Sequence, residues 1–161
     1  MTKLLLLIFV SVFTLQLSAE DHKKVMNERY NDTIGVLKEI EPLGIVYGFG
    51  ERKVYLFVDP LCRYSRKFIS LVTTNQKMLK KYSYIIFLYS IPRLHSTKVV
   101  AGIYSANKPL DTLLDVMLNN KKTSAFLNNE TVKKIEEIEY AAQFIGVDKR
   151  PYIFIEKKPG D

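Results

Sequence analysis

The stretch Lys53–Ile69, K-V-Y-L-F-V-D-P-L-C-R-Y-S-R-K-F-I, constrains the fold more than any other. Val54 to Val58 is a run of β-branched and aromatic residues, the composition of a buried strand. Asp59 and Pro60 end it, because proline has no amide to give a ladder. Beyond the turn the spacing becomes helical, with Phe68, Leu71 and Val72 placed on one face. Cys62 therefore stands where a strand hands over to the first turn of a helix, which this reading carries to about Lys81. Unpaired backbone N–H groups and the positive end of the helix dipole face that position. Arg63, Arg66 and Lys67 add positive charge nearby, and together these effects favour the nucleophilic thiolate. The pattern C-x-x-S, Cys62 to Ser65, is that of a C-x-x-C redox site with oxygen in place of its second sulfur. Blander readings stand beside it: a lone cysteine is often a small buried hydrophobe. Asp59 and Pro60 by themselves are turn-formers, and Ser65 alone is an ordinary first-turn residue.

The amino terminus has to be set aside before the fold is considered. Met1-Thr2-Lys3 is a basic start, Leu4–Leu17 an apolar or weakly polar run, and Leu17-Ser18-Ala19 a small-residue cleavage site. This is the layout of a secretory signal peptide, with a mature chain starting near Glu20. The run is shorter than the roughly 20 apolar residues a membrane-spanning helix needs, and no cysteine follows it to carry a lipid. The expected organisation is thus a signal peptide over 1–19, an amphipathic helical linker over 20–43 and one α/β domain over 44–161. A chain of 161 residues suits one domain, and 47% hydrophobic with 25% charged residues is globular rather than disordered.

The net charge of +7 raises the question of nucleic acid. The cations, however, are spread in pairs (Lys23-Lys24, Lys80-Lys81, Lys121-Lys122, Lys133-Lys134, Lys157-Lys158) with acids between them, so the reading is a solvated basic surface and no nucleic-acid partner. The single cysteine allows no intramolecular disulfide; Cys62 is buried, joined to another chain, or a free reactive thiol. One Cys with His22 and His95 supplies no metal-ligand cluster, and neither a metal nor another cofactor is expected.

Along the mature chain, Met26, Tyr30, Ile34, Leu37 and Ile40 recur at helical steps within 20–41, a helix that Pro42 ends. Gly44–Gly48 reads as a short strand and Tyr84–Tyr89 as a second buried one. Strand, helix, strand in that order predicts a right-handed crossover and a parallel pair. Two helices are predicted over 96–106 and 110–119, and a third over 131–145, capped by Asn129 or Glu130 and stopped by Gly146. Its apolar face is Val132, Ile135, Ile138, Ala142 and Ile145. Arg150-Pro151 introduces the last strand, Tyr152–Ile155, before a turn at 158–161.

A strand, D-P-x-C-x-Y at a helix start, a strand leading into I-P-R, a helical insertion, then G-V-x-x-x-P before a strand: this order resembles the thioredoxin-fold domain of bacterial periplasmic disulfide isomerases of the DsbC/DsbG type. The likeness covers about 54–155, and 20–41 resembles the linker helix preceding that domain. The resemblance implies that Cys62 is the attacking cysteine and that Pro151 is the cis-proline of the loop facing it. It implies too that Arg150 lends its backbone, and Tyr64 its ring, to an extended substrate, with Asp59, Pro60 and Arg63 shaping the site. Four departures stand out. Ser65 replaces the resolving cysteine, and Arg150 sets a bulky cation beside the thiol. Against the family pattern, the amino-terminal dimerisation domain and the last strand and helix are expected to be missing. Tyr152–Ile155 is accordingly expected as an open sheet edge, covered by a homo-oligomer or another partner.

Two functions follow from these readings. One is an exported, periplasmic monothiol protein that exchanges disulfides with secreted or envelope proteins through Cys62, with Ser65 donating a hydrogen bond to the sulfur and a thiol-reducing protein as a candidate partner. The other is a catalytically degenerate module that holds extended peptide as a chaperone or assembly factor of the cell envelope.

Overall fold

Four strands and the helices connecting them are built around the Val54–Val58 run, as a computed structural model shows for residues 24–124 and 128–158. Residues up to Val36 form one unit and Leu37–Asp161 a second. In the first, residues 24–36 form helix α1. The expected signal peptide, His22 and all but Lys158 of the turn expected at 158–161 lie outside the described residues.

In the second unit, Pro42 does not end the helix as a simple breaker. The chain tightens at Ile40 into a 3-10 turn, Glu41–Leu43, with Pro42 in its first turn, where a missing N–H is tolerated. Strand β1 (Ile45–Tyr47) follows, then β2 (Arg52–Val58), helices α2 (Arg63–Thr74) and α3 (Gln76–Lys81), and β3 (Tyr82–Leu88). A 3-10 turn at Pro92–Leu94 leads to α4 (Thr97–Tyr104), α5 (Pro109–Asn119), α6 (Asn129–Ile145) and β4 (Tyr152–Ile155). The sheet order is β1-β3-β2-β4. β2 and β3 run parallel, as the strand–helix–strand order predicts, with Val54 beside Tyr84 and Val58 beside Leu88. β1 and β4 are antiparallel edges, pairing Ile45 with Ile86 and Leu56 with Ile153.

Both faces of the central pair are sealed. Val54, Leu56, Tyr84 and Ile86 point one way, Tyr55, Phe57, Ile85 and Phe87 the other, and all are at most 2% exposed. That explains why β2 reads as continuous rather than alternating hydrophobicity. β4 is the expected open edge: Ile153 and Ile155 remain 43% and 44% exposed.

The helix after Cys62 is shorter than expected. Thr73 and Thr74 turn their hydroxyls back onto the Ile69, Ser70 and Leu71 carbonyls, and Asn75 leaves helical geometry at φ −113°, ψ 92°. Its side chain then accepts from the Lys77 and Met78 N–H groups and starts α3. The inward stripe of α2 is Ser65, Ile69 and Val72, not the Phe68–Leu71–Val72 set; Leu71 is exposed. On α6 the cap is Asn128, whose Oδ1 accepts from Thr131 N–H at 2.7 Å, while Val132 faces outward and Ile145 is half-buried. Gly146 ends α6 at φ 79°, as its position predicts.

Candidate active site at the end of strand β2

The site forms where β2 stops. Asp59 is fully buried and carries its carboxylate into the space between the β2–α2 and β3–α4 connections. Oδ1 accepts from Leu61 N–H at 2.8 Å; Oδ2 accepts from Ile91 N–H and from the Ser96 hydroxyl, each at 2.5 Å. A buried carboxylate is tolerated only when such donors surround it. Asp59 is therefore more than a turn-former: it ties the loop carrying Cys62 to a loop 32 residues further along the chain. Ser96, itself fully buried, continues the chain of bonds to Ser90 at 2.7 Å.

Ser65 joins this network rather than the thiol. It lies on the inner stripe of α2, fully buried, and its hydroxyl oxygen accepts from Asp59 N–H at 3.3 Å. Among the described residues there is no hydrogen bond between Ser65 and Cys62, which corrects the expectation of a hydroxyl donating to the sulfur. The helical period explains it, because position 65 shares a face with Ile69 and Val72.

Cys62 is the N-cap residue of α2, in extended geometry, with its own N–H bonded to Asp59 O at 3.0 Å and its carbonyl accepting from Arg66 N–H. Among the described residues no side chain caps this end of the helix. Cys62 is 6% exposed, and its thiol donates to the carbonyl of Arg150 at 3.8 Å. Residues 88 positions apart thus meet at one sulfur. The Arg150–Pro151 peptide is cis, as the resemblance implies. It is the Arg150 backbone that meets the thiol. Its guanidinium lies over the Tyr89 ring, 3.8 Å from the centroid, with one N–H on the Ser90 carbonyl at 3.5 Å and a buried Nε that has no partner among the described residues.

The remaining cations divide. Arg66 donates from Nε to the Pro60 carbonyl at 2.7 Å and from its terminal nitrogen to Asn120, so it braces the buried turn at Pro60 against the end of α5. Arg63 is exposed and lies over the Tyr64 ring at 5.3 Å; Tyr64, two residues from Cys62, is an exposed large hydrophobic side chain at 61%. Ser96, Tyr89 and Asn120 were not singled out from sequence; their roles depend on contacts too distant in the chain to leave a local signal. A further buried support is Tyr104, whose phenolic oxygen accepts from Leu88 N–H at 2.8 Å. Burial pushes this phenol well above its ordinary range, so it stays neutral.

Among the described residues no group of three His, Cys, Asp or Glu side chains could hold a metal, and no helix is long and apolar enough to cross a membrane. What the arrangement can do chemically rests on one thiol at a helix start, under a backbone carbonyl, with an exposed aromatic residue two positions on.

No protein-family model and no curated protein matches the sequence. Solved structures do match in shape. DsbG of Helicobacter pylori is 16% identical with a TM-score of 0.62, covering 88% of this chain and 70% of its own. A disulfide interchange protein from Neisseria gonorrhoeae is 15% identical at TM-score 0.58, covering 70% and 79%. A periplasmic thioredoxin-like protein from Salmonella enterica serovar Typhimurium is 14% identical at TM-score 0.57, covering 73% and 80%. With the central parallel pair, the antiparallel edges and the helical insertion in place, the chain has a thioredoxin-like fold of the kind found in these proteins.

Proposed function

We propose that this protein is an exported, periplasmic thiol–disulfide exchange protein working with one sulfur, Cys62. The observation that carries this reading is the meeting of the Cys62 thiol with the Arg150 carbonyl at the start of α2. That position offers the sulfur free helix-terminal N–H groups and a neighbouring backbone against which an extended chain can lie. The similarity in fold to a disulfide interchange protein and to DsbG supports the same class.

The Cys62 thiolate attacks one sulfur of a substrate disulfide. A bond forms between Cys62 and that sulfur, the original S–S bond breaks, and its electron pair leaves on the other substrate sulfur as a thiolate. That thiolate, or another in the same substrate, then attacks the substrate sulfur of the mixed disulfide and releases Cys62 as thiolate. No electrons are gained or lost, so isomerisation needs no second enzyme sulfur. Where a reducing dithiol protein attacks instead, it becomes a disulfide and the substrate ends with two thiols. Secreted or envelope proteins with cysteines are the substrates in this reading, and the β4 edge is where a second copy or another partner would pair.

The 6% exposure of Cys62 favours a second reading, in which the fold holds extended peptide as an envelope chaperone or assembly module without exchange chemistry. Trapping separates the two. Cells expressing the protein are quenched with acid and run on non-reducing gels. Exchange predicts adducts that vanish with dithiothreitol and in Cys62→Ser; peptide holding predicts no adducts and an unchanged phenotype for that variant.

A further inference from the structure

The opposite end of β2 carries a second feature that the thiol chemistry does not use. Phe49, Glu51, Arg52, Lys80, Lys81 and Lys158 line an open cleft of about 520 Å³. Among the described residues, three lysines and an arginine share its lining with a single carboxylate. Glu51 is engaged by Lys158 at 3.2 Å, Arg52 donates from Nε to the Glu156 carbonyl at 3.3 Å, and Lys81 lies over the Tyr82 ring. Lys80 and Lys81 are both exposed.

An independent observation concerns the aromatic ring at the rim. Phe49 is 72% exposed, yet its loop is pinned: Phe49 N–H bonds Leu79 O at 3.1 Å and Gly50 N–H bonds Tyr82 O at 3.2 Å. Gly48 adopts φ 93°, and a Cβ on Gly50 would lie 2.1 Å from the Lys81 carbonyl carbon. The backbone therefore has glycine where it must press on the end of α3, and the ring is held out beside the lysines. An exposed phenylalanine fixed among cations is unfavourable in water but suited to the boundary between headgroups and acyl chains.

We infer that this cleft binds the headgroup of an anionic phospholipid at a bilayer surface, the cations taking the phosphate and Phe49 entering the acyl boundary. A folded acidic partner would need a contact of about 800 Å² on each side, whereas a bilayer needs only a protruding ring and nearby cations. The net charge of +7 draws the whole chain to such a surface. Six steps along β2, about 20 Å, separate Arg52 from Val58, so docking by this end leaves Cys62 facing away from the membrane.

The test is co-flotation of the full chain with vesicles of phosphatidylcholine alone, or with a quarter phosphatidylglycerol. The neutral vesicles report any binding by the apolar leader. At roughly fivefold in partitioning per cation, Lys80→Gln with Lys81→Gln should weaken the phosphatidylglycerol-dependent part by roughly 25-fold. Phe49→Ser should weaken it too. Lys98→Gln with Lys122→Gln, equal in charge but outside the cleft, should change it by less than roughly fivefold. Equal losses for the two lysine pairs would reduce the effect to overall charge and overturn the assignment, as would equal binding to both vesicle types. Inorganic phosphate that shifts the Phe49 and Gly50 amide signals, with no vesicle preference, would give the cleft to a free anion and overturn it as well.

Discussion

Replacing Asp59 should loosen the thiol's setting more than any other single change at the site. Its carboxylate is fully buried and accepts from two backbone N–H groups and one hydroxyl. Asp59→Ala leaves the Leu61 and Ile91 N–H groups without an acceptor, while the Ser96 hydroxyl can turn to Ser90, 2.7 Å away. Hydrogen bonds to a charged group contribute about 1.5–3 kcal/mol each, and an abandoned buried donor costs about 1–3 kcal/mol. With one of the three donors rescued and both amides in half-buried residues, the expected loss is about 3–5 kcal/mol. Asp59→Asn keeps the volume but turns an NH2 toward one of the donors, for about 2 kcal/mol. Ser96→Ala removes one donor and should lose about 1 kcal/mol. Because Asp59 and Ser96 share a bond, the double variant should fall short of the sum by about 1 kcal/mol. Urea unfolding followed by circular dichroism gives these values. Native-state labelling of Cys62 by a thiol reagent should also quicken in Asp59→Asn, since the turn that shields the sulfur is less held. An Asp59→Ala protein within about 0.5 kcal/mol of wild type, the scale of an unconnected surface change, would refute the reasoning.

Other expectations concern the rest of the domain. Asn75→Ala should lose about 1 kcal/mol in the same unfolding assay, because its side chain starts α3 by accepting from two backbone N–H groups; no loss would mean the α2–α3 break has another cause. Glu41 tests pH dependence. Burial alone would raise its carboxyl, but hydrogen bonds from Lys53 at 2.6 Å and Tyr55 at 2.7 Å, with the charges of Lys53 and Lys38, hold it below the ordinary 4.5. A folded-state value below the unfolded one means the unfolded chain binds the proton first. The contribution is therefore complete above about pH 4.5 and is lost as pH falls through the lower folded value; Glu41→Gln should flatten this part of the acid limb, and an unchanged limb would remove Glu41 from it. Ser65→Cys should restore a resolving thiol and shorten the lifetime of Cys62 adducts on non-reducing gels, at some loss of stability because sulfur accepts weakly from Asp59 N–H. Adducts of equal lifetime would show that position 65 cannot reach the mixed disulfide.

The parts of this structure governed by neighbours in sequence were legible. β2 and β3 follow from continuous apolar runs, Gly146 from its need for a left-handed φ, and Cys62 from the change of spacing at Asp59-Pro60. The α2–α3 break escaped because apolar periodicity runs through it; the Thr73-Thr74-Asn75 hydroxyls and amide that end one helix and start the next are a local signal that could have been read. Ser65 is instructive in the same way. Its spacing from Cys62 drew attention to sulfur chemistry, while the same helical period placed it with Ile69 and Val72 on the inner face. The Asp59–Ser96–Ser90 chain and the stacking of Arg150 on Tyr89 were not legible, since nothing local says which loops a sheet brings together. The cis-proline role of Pro151 follows from the resemblance alone, and nothing local marks Asn120, because its bond with Arg66 joins the ends of two helices far apart in the chain.

The central claim is that Cys62 alone shuffles disulfides, and the recovery of a scrambled disulfide protein in the presence of a small thiol tests it most directly. Wild-type protein in catalytic amount should speed the return of native activity, and Cys62→Ala should lose that acceleration while keeping the wild-type fold by circular dichroism. Equal acceleration by the two, or none by either, would contradict the account.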